Sequence, residues 1–103
     1  MKIIEYLSER IAGEIGDAHD YAMKALEVKE TYPDLARVLH ELSEEEMGHM
    51  SRLHTAAAGI IEQYRNDKGE PPAAMMAVYD YLHKQQIAKA AEVKTIQDMF
   101  KES

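Results

Sequence analysis

The sequence has no cysteine and no tryptophan, a single phenylalanine at Phe100, and only three prolines. Without cysteine, disulfides, thiolate zinc sites and cysteine nucleophiles are all excluded. With one phenylalanine, a core must be packed by Leu, Ile, Ala, Met and Tyr. No apolar run approaches the length of a membrane span. The stretch Met1 to Arg10 mixes Lys2, Glu5, Glu9 and Arg10 with its apolar residues, so it lacks the apolar centre of a signal peptide. Cytoplasmic residence is the expectation that follows. A basic patch is also lacking. Net charge is -7, and Lys84, Lys89 and Lys94 are interleaved with acids. Such a surface repels a phosphate backbone, which argues against nucleic acid as a partner. The acidity serves solubility, or it attracts metal cations if specific ligands are present.

What is present is helix-forming. Ala, Leu, Glu, Lys, Met and Gln dominate, and 103 residues suit one domain spanning 1–103. That size is near the lower end of what one core stabilises alone, so self-association is expected. Two breaks divide the chain. At Glu30-Thr31-Tyr32-Pro33-Asp34, Pro33 suits a first helical turn and pushes Tyr32 out of helical geometry. Thr31 and Asp34 have the spacing of a capping box. At Asn66-Asp67-Lys68-Gly69-Glu70-Pro71-Pro72, Asn66 or Gly69 can end a helix and the prolines start the next. Three segments remain, at roughly 3–31, 33–65 and 72–101, each about 45 Å long at the helical rise. Near-equal lengths and short connections predict an all-α antiparallel bundle.

The apolar spacing predicts the seams. Segment one offers Ile4, Leu7, Ile11, Glu14, Ala18, Tyr21, Ala25 and Val28 at alternating steps of three and four. Segment two offers Leu35, Leu39, Leu42, Glu46, His49, Leu53, Ala56 and Ile60. Segment three, less apolar, offers Met75, Tyr79, Leu82, Gln86, Ala90, Val93 and Phe100. Glu14, Glu46 and His49 stand where these stripes should be apolar. A carboxylate on a core stripe is costly unless paired, hydrogen-bonded or bound to metal.

Hairpin geometry brings the three together. Glu14 lies about as far before the turn as Glu46 and His49 lie after it, so all three fall at one height. Glu46 and His49, three apart, share a helical face. Carboxylate-bridged di-iron and di-manganese bundles use one carboxylate plus a Glu-x-x-His pair from each half. The Glu-x-x-His spacing decides little alone, since a chain of this composition contains about 0.6 by chance. The matching height of Glu14 is what gives it weight. The bland alternative is a buried ionic network. Asp17, one turn after Glu14, is a further candidate ligand or outer acceptor. Gly13, Gly16 and Gly48 nearby read either as tolerated drift or as close helix approach around a small inorganic centre. Asp80 and His83 read as an interface hydrogen bond before a metal pair, and His19, His40 and His54 as flank or surface residues. Met47, Met50, Met75 and Met76 read as core fillers.

On these residues the chain resembles the ferritin-like superfamily. Pro33-Asp34-Leu35 through Glu44-Glu45-Glu46-Met47-Gly48-His49 is similar to the second helix of encapsulated ferritins and rubrerythrin-type proteins. Glu14 matches the carboxylate those families carry on the preceding helix. The resemblance covers the first two segments. It implies Glu14, Glu46 and His49 as iron ligands, with Glu46 bridging, and oxidation of Fe(II) by dioxygen or peroxide. Manganese or zinc in place of iron is the alternative. The sequence departs from a four-helix ferritin or rubrerythrin in having no second carboxylate helix, no second Glu-x-x-His and no rubredoxin-type cysteine module. One chain thus supplies half of a four-carboxylate, two-histidine set, and a two-fold axis would supply the rest from an identical surface. A homodimer is therefore expected, with the third helices packed outside. The rival reading is a non-enzymatic helical adaptor on the same scaffold. A metal-dependent hydrolase is less well served, since no further ligand cluster or nucleophile motif accompanies the site.

Overall fold

The structure is a computed structural model that describes residues 1–102. It is all-α: α1 spans Lys2–Val28, α2 Pro33–Lys68 and α3 Ala73–Glu102, with no strand among the described residues. The breaks fall where the proline and glycine chemistry predicts. Pro33 opens α2, and Gly69 caps it at φ 86°, a left-handed value that favours glycine. Its N–H donates to the Arg65 carbonyl at 3.0 Å, satisfying one orphan of the last turn. The Thr31–Asp34 capping box does not form. Tyr32 is the N-cap and makes no side-chain cap bond, so the fixed φ of Pro33 starts the helix instead. Helix α1 stops three residues short of the expected end, and α2 runs on to Lys68.

The three helices form a rod of 55 × 19 × 18 Å. Buried along α1 are Ile4, Leu7, Ile11, Ile15, Ala18, Ala22 and Ala25, and along α2 Ala36, His40, Ser43, Ala57 and Ile61. These stripes correct the expected seams by about one residue. Ile15 and Ala22 are buried, whereas Glu14 and Tyr21 lie at the edge, and Leu35 is 48% exposed. The cause is the third helix. It docks mainly on α1 and only sparingly on α2, so α1 must face two neighbours and its buried stripe turns toward the second. Helix α3 buries Val93, Ile96 and Gln97 rather than a full stripe, and Leu82 is exposed.

The core has two parts. Ile4, Leu7, Ala57 and Ile61 pack with Leu53, Met76 and Tyr79 at one end, and Ile11, Ile15, Ala18 and Val93 with Met47 and Met50 further along. Small residues (Ala18, Ala22, Ala25 and Ala36) line the end nearest the α1–α2 turn, which lets the backbones approach there. A polar lock joins all three helices. Ser43 Oγ donates to the Ala18 carbonyl at 2.6 Å and accepts from Gln97 Nε2 at 2.9 Å, all within the core. His40 corrects another expectation. It is buried at 6% exposure and stacks on Phe100 at 4.4 Å between ring centroids. Lys29 covers the same Phe100 ring and donates to the Phe100 carbonyl, which pins the end of α3 to the α1–α2 turn.

Candidate metal centre

Glu14 sits at the edge of the α1 stripe, with its side chain 12% exposed. On α2, Glu46 is 20% exposed and His49 54%. The helical spacing of Glu46 and His49 puts both on the side of α2 that meets Glu14. One ligand atom from each of the three lies within 4.8 Å of the others. The group is at the rim, not in the apolar centre the heptad pattern assigned it. Its carboxylates keep part of their hydration, which lowers the cost of holding two like charges together.

The distances say what the cluster is not. His49 Nδ1 lies 3.6 Å from Glu14 Oε2 and 3.8 Å from Glu46 Oε2. Both exceed hydrogen-bond length. Two atoms bound to one ion at about 2.1 Å stand about 3 Å apart when adjacent and about 4.2 Å when opposite. The observed separations fall in that interval. The nearest permanent cation is Arg10, whose Nη2 is 3.3 Å from Glu14 Oε1. Two carboxylates with one exposed arginine and one imidazole are short of positive charge. An oxygen-rich set with one nitrogen suits iron or manganese and also accommodates zinc. The donor chemistry therefore fits a metal ion.

Other sequence candidates lie elsewhere. Asp17 is exposed and outside the three-residue group. A Cβ added at Gly13, Gly16 or Gly48 would meet nothing within 4 Å, so no close helix approach within this chain requires them. Asp80 and His83 do not form the expected hydrogen bond. His83 instead stacks on His54 across the α2–α3 seam at 4.5 Å, with Tyr79 parallel beyond it at 5.9 Å. Burial, and then repulsion from His83, lowers the pKa of His54. Burial, and then Asp80, raises that of Tyr79. The sequence reading missed this pair because His54 and His83 lie in different segments with no local signature.

Beside the three candidate ligands lies an open cavity of about 450 Å³, lined by Tyr6, Arg10, Glu14, His49, Arg52 and Leu53. On this side the helices also present apolar side chains to solvent. Ile3, Tyr6, Leu35 and Val38 are 48–57% exposed, at three- and four-residue steps from the candidate ligands. No described helix is long and apolar enough to cross a membrane.

Residues 5–102 match the rubrerythrin family. Comparison with curated proteins and with solved structures gives no match.

Proposed function

The chain belongs to the rubrerythrin family, a branch of the ferritin-like proteins, and from that premise we propose that it binds iron through Glu14, Glu46 and His49 and oxidises Fe(II). The observation that carries the reading is the ligand spacing. Two carboxylates and an imidazole converge at separations too long for hydrogen bonds and suited to a shared ion. When bound, iron supplies one-electron chemistry, each ferrous ion giving an electron to dioxygen or peroxide. The chain's own residues hold and orient the ion. Glu46, which the family likeness makes the bridging carboxylate, would hold the ion with His49, and Glu14 would give up Arg10 for the metal. Asp17 acts from further out, drawing cations toward the rim.

The reading includes a homodimer. One chain brings two carboxylates and one histidine, half of a di-iron carboxylate set. The exposed Ile3, Tyr6, Leu35 and Val38 share the ligand side, where a second copy would bury them and complete the site. A cytoplasmic setting belongs to the same reading. The adaptor alternative draws on that exposed face too, but it leaves the charge deficit at Glu14 and Glu46 without a purpose.

The test is iron retained per chain after anaerobic Fe(II) loading and desalting, for the native chain and Glu46→Ala, with mass measured in solution. About one iron per chain in a dimer, lost in the variant, is the expected result. Exposure of the loaded native chain to oxygen then gives a blue-ultraviolet absorption band. No retained iron, with mass and stability unchanged in the variant, favours the adaptor.

A further inference from the structure

We infer that the cavity beside the metal ligands takes an anionic oxygen group together with the metal, gripped by Arg10 and Arg52. This rests on the metal reading above and adds a ligand class to it. The chain has four arginines among an excess of acids. Arg37 pairs with Asp34, and Arg65 with Glu62 and Glu70. Arg10 pairs with Glu14. Arg52, exposed at the cavity wall, has no acidic partner among the described residues. In so acidic a chain, an arginine that lines one cavity with Glu14 and is not paired with it stands out.

Metal loading sharpens the imbalance. A divalent ion neutralises Glu14 and Glu46, so Glu14 no longer needs Arg10. The Arg10 side chain is 56% exposed and can pivot without disturbing the core. Two guanidiniums then flank one cavity with no counter-charge between them. Three protein donors also leave positions open on an ion that accepts six. Tyr6 lines the same space. A group with two or more anionic oxygens satisfies all of these at once, since a guanidinium fork matches carboxylate and phosphate geometry. That group is either a free oxyanion or a carboxylate of a second copy of this chain seated on the open face.

The experiment loads the chain with Mn(II) and dialyses it to equilibrium against radiolabelled phosphate at fixed ionic strength. The native chain, Arg52→Gln and Arg37→Gln are compared, and metal content and sedimentation are read on the same samples. For a free oxyanion, the loaded native chain and Arg37→Gln hold phosphate, and Arg52→Gln holds it about tenfold more weakly. For a partner's carboxylate, phosphate is not held, and Arg52→Gln instead weakens the dimer of the Mn(II)-loaded chain about tenfold. A chain that keeps Mn(II) but shows neither effect overturns the inference and leaves the metal reading standing. A chain that keeps no Mn(II) overturns both. Unchanged helicity of Arg52→Gln shows that its loss is not one of folding.

Discussion

Two polar trios interrupt this bundle, and they are opposites. Ser43, Gln97 and the Ala18 carbonyl form a closed chain of hydrogen bonds at 2.6 and 2.9 Å in the core. Glu14, Glu46 and His49 sit at the rim with contacts of 3.6 and 3.8 Å and more acceptors than donors. The first trio uses up its polarity internally and fixes the register of three helices. The second has negative charge left over. Burial alone does not predict which polarity is left over here, since the more buried trio is the one that is satisfied. What separates them is whether the donors and acceptors balance within the chain.

That contrast can be broken by exchanging the losses. Glu46→Gln keeps the shape and removes a charge. It should weaken metal binding by at least about a hundredfold, measured by chelator competition, while the metal-free chain keeps or slightly gains stability. Ser43→Ala should do the reverse. It leaves the buried Gln97 amide without its partner at a cost of about 1–3 kcal/mol in urea unfolding, with metal retention unchanged. Equal stability losses in both variants would erase the distinction.

A third polar feature, the stacked His54–His83 pair, tests the balance by pH. The folded pKa of His54 lies below its ordinary value of 6.5 because of burial and its neighbour. The unfolded chain therefore takes up the proton first as pH falls. Stability of the metal-free chain should be intact above pH 6.5 and decline below it, through the folded pKa. His54→Gln should flatten that decline between pH 7 and about 5, above the range where carboxylates titrate. The smallest effect is expected at Gly59, mid-helix in α2, where an added Cβ meets nothing within 4 Å. Gly59→Ala should raise stability by up to about 1 kcal/mol. Gly13→Ala should do the same for the single chain, and weakening of a dimer by that change would reveal close approach between copies.

Much of this was legible in the sequence, for local reasons. Pro33, Gly69 and the Pro71-Pro72 pair act through their own backbone, so the helix breaks could be read directly. The gathering of Glu14, Glu46 and His49 follows from helical spacing and equal distance from one turn. What was not legible depends on partners. The buried stripes were misplaced by one residue because a two-helix seam points one way, and α3 pulls the buried face of α1 round toward Ile15 and Ala22. His40 reads in the sequence as a flank or surface residue because nothing near it announces Phe100. The stacking of His54 on His83 depends in the same way on how α3 lies against α2. Glu14 was read as a core residue for the same reason, and the rim position follows once the third helix is in place.

The 55 × 19 × 18 Å shape has a further consequence. Nearly all the surface of so slender a body is flank, and the candidate ligands Glu14, Glu46 and His49 are on it. Two copies joined along that flank keep the original length and only thicken the particle. Its radius of gyration then rises modestly above the single-chain value of 16.4 Å, whereas tip-to-tip joining would nearly double it. Solution X-ray scattering thus distinguishes the two assemblies by girth against reach, without any metal in the sample.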